Sequence, residues 1–258
     1  GLGKVILHFR FMCLILIVAG FWAVQGQLYA TMPKYILRLL GEGAKPEWLA
    51  NINPLVVVIL VVPITHLVRR FKAENAIAIG LFIIPLSALS IALSPALQRA
   101  TGNTVFNIGA WAVHPITLMV IIGIALQGVA ECFLSPKFLE YASKQAPKGE
   151  EGLYLGYQHL TTFFAWAIGF ALSGFALDWY CPNPEKLKTQ DPAAYEQWRT
   201  AIETGGAMPE AYAHAHYIWY VFFGIGLAAF LAILLFKAVT GAIDRRRESL
   251  ADAASGAS

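Results

Sequence analysis

Long apolar runs separated by short polar stretches repeat along the whole chain. A helix that crosses a bilayer needs about 20 predominantly apolar residues. Six runs reach that length, at residues 11–32, 49–68, 76–97, 111–134, 153–177 and 217–239. Strict two-residue alternation is absent from them, which argues against a membrane β-barrel. The pattern therefore predicts an all-α membrane protein with six transmembrane helices. Gly20, Gly26 and two glutamines interrupt the first run; Pro54 and Pro63 lie in the second, Pro85 and Pro95 in the third. Membrane helices tolerate such breaks where neighbours re-satisfy the freed backbone groups.

The polar stretches carry less regular signals. Segment 178–216 is the one sizeable loop. Within it, residues 192–203 predict a short helix with Asp191 as N-cap, Pro192 as first residue and Gly205-Gly206 as the stop. Tyr195, Trp198 and Ile202 share one of its faces, which suits the membrane surface or the outer helix ends. Residues 33–40 form a second amphipathic piece that extends span one outward. The small, polar stretch after Arg247 reads as disordered.

Composition agrees with the pattern. The chain is 57% hydrophobic and 14% charged, where soluble domains run near 45–50% and about 25%. Its mean hydropathy is +0.58. The net charge of +3 matters less than where the cations fall. If all six runs cross, twelve cations share one side: Lys4, Arg10, Arg69, Arg70, Lys72, Lys137, Lys144, Lys148, Lys237 and Arg245 to Arg247. Seven, in longer loops, lie on the other: Lys34, Arg38, Lys45, Arg99, Lys186, Lys188 and Arg199. The positive-inside bias makes the first side cytoplasmic, with both termini, in a bacterial-type plasma membrane. The expected organisation is a cytoplasmic segment 1–10, a six-helix lobe 11–241 and a basic cytoplasmic tail 242–258.

Cys13, Cys132 and Cys181 have no metal or redox spacing and imply no disulfide framework. There is no phosphate-binding glycine motif, zinc signature or nucleophile elbow, so the sequence implies no cofactor, metal or enzymatic chemistry. No basic stripe supports a nucleic-acid partner. The first run lacks a small-residue cleavage site and is not read as a signal peptide. The start at Gly1, without Met, is read as that of a fragment or a processed chain.

Candidate chemistry centres on Glu131, which lies inside the fourth apolar run. An ionised carboxylate in lipid costs roughly 2.5–3.5 kcal/mol on insertion scales, so such a group faces a bundle interior or a wet path. Gln127, Glu131 and Ser135 are spaced four apart and line one helix face. Span one carries Gln25, Gln27 and Thr31 in a similar design. Spans one and four open two consecutive three-helix units, the layout of a 3+3 inverted repeat, in which broken first helices line the path. Each feature has a plainer alternative. Glu131 also fits a structural carboxylate between helices, the glutamines fit helix-bridging bonds, and Asn53 fits a helix cap. Gln158 and His159 open span five near the inner surface, where His159 is suited to titrate near neutral pH. His66 and His114 read as interfacial, and Trp22, Trp166 and Trp219 as packing or interface anchors.

Glu131-Cys-Phe-Leu-Ser-Pro136, with Leu139 and Ala146-Pro147 after it, resembles the tenth helix of the proton-dependent oligopeptide transporters. Phe21-Trp22-Ala23 with Gln27 resembles the seventh helix of that family, Asn53-Pro54 its eighth, and Gly156, Leu160, Thr161 and Thr162 its eleventh. The resemblance runs in order from about Phe11 to Leu177. It implies the carboxy-terminal six-helix lobe of the major facilitator superfamily. It further implies that Glu131 binds a substrate amino group or takes part in gating, and that Asn53 and Gln27 line the central cavity. Gln158 stands where the family usually has Trp, and nothing here matches the family's amino-terminal coupling residues.

The expected function is thus one lobe of a secondary active, proton-coupled transporter of peptides or other small polar solutes. The candidate substrate and proton residues are Glu131, Gln127, Gln27, Asn53, Ser135, Gln158 and His159. The expected partners are the bilayer, protons, a small polar solute and a second six-helix lobe from the same polypeptide, a separate subunit or a second copy. The alternative is a non-transporting half-transporter that serves as an accessory or scaffold subunit, docking through the 178–216 loop.

Overall fold

The computed structural model describes residues 9–102, 105–108 and 111–255. Lys4 and most of the expected segment 1–10 lie outside the described residues, as do the last three residues of the expected tail. Among the described residues, six helical stretches are long and apolar enough to cross a membrane.

Span one is three helices in series: α1 (Phe9–Gln25), α2 (Gln27–Ala30) and α3 (Met32–Leu40). The breaks fall at Gly26 and Thr31, and α3 continues span one as expected. Gly41, with φ of 73°, ends α3 in a conformation that suits glycine. A short 3-10 turn and α4 (Pro46–Ala50) lead into span two, α5 (Ile52–Val68). Span three is α6 (Ala73–Ala92), continued by α7 (Ser94–Ala100).

Span four departs from expectation at its start. Trp111 does not open the helix. Phe106–Ile108 and Trp111–Val113 pair as an antiparallel β1–β2 hairpin, and α8 runs Pro115–Gln145. The cause is Pro115. A residue before proline is pushed to extended backbone, and proline is favoured at the first helical turn. His114 is extended and caps α8, its Nδ1 accepting from the Ile116 N–H at 3.2 Å.

Span five is α9 (Glu151–Tyr157) and α10 (Leu160–Tyr180), broken at Gln158–His159. The loop after span five holds α11 (Pro184–Gln190), which the sequence pattern does not predict, and α12 (Pro192–Thr204). The Asp191 carboxylate accepts from the Ala194 N–H at 3.0 Å, and Gly205 ends α12 with φ of 76°. Trp198 Nε1 donates to the Arg38 carbonyl at 2.8 Å, which seats α12 on α3 rather than on lipid. Arg38 also pairs with Asp178 at 2.9 Å and donates to the Cys181 carbonyl. Burial pushes the Cys181 thiol up to about 12.

The last helix, α13 (Tyr217–Ser255), corrects a second expectation. The tail after Arg247 is helical through Ser255. Its Ala, Leu, Glu and Arg content favours helix, and Arg10 ties Asp244 to the start of α1 at 2.5 Å.

The spans pack in an open order: α5 on α8, α8 on α6, α6 on α13, α13 on α1, and α1 on α10. Small residues set the close crossings. A Cβ on Gly123 would lie 2.8 Å from the Ser87 carbonyl oxygen, and one on Gly20 would lie 2.6 Å from Ala229 Cβ. Lys137 is buried on α8. Its Nζ donates to the carbonyls of Arg69 and Phe71 at 3.3 Å each and pairs with Glu140 at 2.8 Å. That cation caps the end of α5 and fixes the turn into α6. The two ends of the open order, α5 and α10, leave much of their surface outside the bundle.

Candidate functional site

The seam between α1 and α8 lies between those two edge helices and holds the polar residues. Glu131, half-buried on α8, accepts a hydrogen bond from Gln25 Nε2 at 2.5 Å. Gln25 is the last residue of α1 before the Gly26 break. Residues two positions apart in a helix are about 200° apart around its axis, so Gln25 and Gln27 face opposite ways. Gln27 turns to α10. Its Nε2 donates to the Ala23 carbonyl at 2.9 Å, and its Oε1 accepts from Thr31 at 2.6 Å. It borders a mostly apolar cavity of about 360 Å³ between α1, α10 and α13. The sequence reading chose Gln27; the residue in contact with Glu131 is Gln25.

Gln127 lies one turn from Glu131 and is buried, with Oε1 lacking a partner within the chain. Ser135 lies one turn the other way, and its Oγ is likewise unpartnered. Asn53 does not cap α5. Asn51 holds the cap position, while Asn53 is helical and buried with Nδ2 unpartnered. The start of α5 abuts α8 beside Gln127, where a Cβ on Gly128 would meet the Asn53 carbonyl oxygen at 3.1 Å. Gln25 Oε1 also has no partner. Buried polar atoms are normally hydrogen-bonded. Beside the Glu131 carboxylate, those of α1, α5 and α8 offer two amide acceptors, an amide donor and a hydroxyl that the chain itself does not use up.

Gln158 and His159 are separate from this group. His159 is exposed, 3.4 Å from Gln158 Nε2, at the α9–α10 break. Thr161 and Thr162 donate to the carbonyls of Gln158 and His159 at 2.8 Å each and satisfy the broken backbone. Two aromatic residues, by contrast, come close to the other break. Trp166 and Phe170 stack at 5.6 Å, and a Cβ on Gly26 would lie 3.0 Å from Phe170 and 3.2 Å from Trp166 Nε1. Trp166 thus packs against its neighbours, in line with its reading as a packing or interface anchor. Trp219 also packs as expected, buried against Tyr35. Among the described residues, no group of three or more His, Cys, Asp or Glu side chains is placed to hold a metal.

Six helices thus form an open membrane-length bundle of the major facilitator type, with a broken first helix and a polar seam between its edge helices. Residues 5–189 match the sequence model of the POT family, and the chain belongs to that family. It is also similar to the multidrug resistance protein MdtH of Klebsiella pneumoniae subsp. pneumoniae, at 25% identity over 179 residues, 69% of this chain and 40% of that protein. The MdtH proteins of Salmonella arizonae and Proteus mirabilis are 26% and 25% identical over 180 residues each, again 69% of this chain, with 39% and 40% of those proteins covered. The chain thus spans about 40% of the length of these curated relatives. With its six apolar helices, it is a multi-pass inner-membrane protein.

Proposed function

We propose that this chain forms the carboxy-terminal lobe of a secondary active, proton-coupled transporter of peptides or other small polar solutes. It works by alternating access against a second lobe. The Gln25–Glu131 hydrogen bond carries the reading, because it places an ionisable group at the break of the first span. In the ionised state Glu131 holds Gln25 and so ties α1 to α8. A proton, or the ammonium of a solute, competes for that carboxylate and releases the tie. The unpartnered amides of Gln127 and Asn53 then bind the solute's polar groups. A seam of this polarity is costly against acyl chains, so the second lobe covers it. Both chain ends lie on the cytoplasmic side, where most of the cations fall.

The test is Glu131→Gln in the intact transporter, assayed in proteoliposomes. The amide keeps the shape and loses the titration. Proton-driven accumulation is expected to fall by at least about a hundredfold, the lower end of what a positioned proton-transfer group contributes, and to lose its pH dependence. Unchanged uptake with an unchanged pH profile would remove Glu131 from the mechanism.

A second reading of the substrate, amphipathic organic cations, is favoured by the Trp166–Phe170 stack. Aromatic faces attract such cations. Competition decides between the two: a dipeptide that blocks uptake supports the first, and ethidium that blocks it through Trp166 supports the second.

A further inference from the structure

A groove of about 680 Å³ opens at one end of the bundle, between α6, α13 and the turn that joins α5 to α6. Its lining divides by chemistry. Arg70 and Lys72 from the turn and Lys237 from α13 form the mouth, with Asn75 beside them. Ile79 and Phe82 of α6 and Phe230 of α13 form the floor. The Phe82 and Phe230 rings are 5.3 Å apart. Asn75 to Phe82 and Phe230 to Lys237 are each seven residues, or about 10 Å of helix. The groove is therefore cationic where the spans leave the membrane and apolar about 10 Å further in.

The cations are uncommitted. Among the described residues, Arg70, Lys72 and Lys237 form no ion pair with a carboxylate. No acidic residue lines the groove. Glu74, the nearest acid in sequence, is not among the residues that line it. Lys137 draws the Arg69 and Phe71 carbonyls inward, so the turn is fixed while Arg70 and Lys72 stay exposed.

We propose that this groove binds an anionic phospholipid, its phosphate among Arg70, Lys72 and Lys237 and an acyl chain along Ile79, Phe82 and Phe230. Basic pockets between helices at a membrane surface recognise such headgroups. A free anion would leave the aromatic floor unused, and a zwitterionic lipid would leave the excess of positive charge uncompensated.

The intact protein, delipidated in detergent, is titrated with dioleoyl phosphatidylglycerol and separately with dioleoyl phosphatidylcholine, and bound lipid is counted by native mass spectrometry. Phosphatidylglycerol is expected to bind at least about tenfold more tightly, since each cation near the surface is worth about fivefold. Combined Arg70→Gln, Lys72→Gln and Lys237→Gln removes that preference. Combined Arg245→Gln, Arg246→Gln and Arg247→Gln, which deletes the same charge outside the groove, leaves it within about twofold. Should the triple groove variant not fold, Lys237→Gln alone is expected to weaken phosphatidylglycerol about fivefold. Equal binding of the two lipids, a groove variant that keeps the preference, or an equal loss from the tail arginines overturns the site. Displacement of the lipid by an equal concentration of glycerol phosphate also overturns it, because the apolar floor would then contribute nothing.

Discussion

The Glu131 carboxylate is held by one amide, and that amide is the last side chain before a helix break. Hydrogen bonds to charged groups contribute about 1.5–3 kcal/mol, and a buried group stripped of its partner loses as much. Gln25→Leu is therefore expected to lower the unfolding free energy of the intact protein by about 1.5–3 kcal/mol, read from thermal melts in detergent. Gln27→Leu is expected to act differently, since Gln27 serves Ala23 and Thr31 on the opposite side. Equal melts for Gln25→Leu and the parent would mean that the 2.5 Å contact contributes nothing. Glu131 was legible in the sequence because a charge inside an apolar run is costly enough to need a reason. Its partner was not. Two glutamines two positions apart cannot both face α8, and the choice depends on where the helix rotates at Gly26.

Elements were legible where local chemistry decides them, as the α12 cap at Asp191 and stop at Gly205 illustrate. The start of α8 and the helical end of α13 were not. In both places hydropathy outweighed a local signal, Pro115 in one and helix-favouring tail residues in the other. His114 makes the α8 start sensitive to pH. Burial holds its imidazole below the ordinary histidine value, and only the neutral ring accepts the Ile116 N–H. The unfolded chain takes up the proton near pH 6.5, so the contribution is present above that pH and lost as pH falls. Amide exchange at residues 116–119, corrected for intrinsic rates, is expected to accelerate between pH 7 and 5.5. His114→Asn, a cap that does not titrate, should flatten the change. Helix crossings depend on missing side chains. Gly123→Val would drive a Cβ toward the Ser87 carbonyl oxygen at 2.8 Å and is expected to cost at least about 1–3 kcal/mol. Gly156→Ala, with nothing within 4 Å of its Cβ, is the control and should melt like the parent.

At the scale of the molecule, the number of spans follows from run length, but their neighbours do not. All six runs are apolar on most sides, so hydropathy alone cannot say that α5 and α10 end the packing order. Glycines reveal it only in retrospect, when Gly128 meets α5 and Gly20 meets α13. The longest helix adds a mechanical property. With 39 residues, α13 is a rod about 58 Å long, while the hydrocarbon layer is about 30 Å thick. Gly226 lets it lie against Pro85, and the Arg10–Asp244 pair ties it to α1 further along. Pivoting by roughly ten degrees at Gly226 would sweep Leu250 through about 6 Å. A small tilt within the lipid thus becomes a large excursion in water, and a spin label at position 250 would be the natural gauge of it.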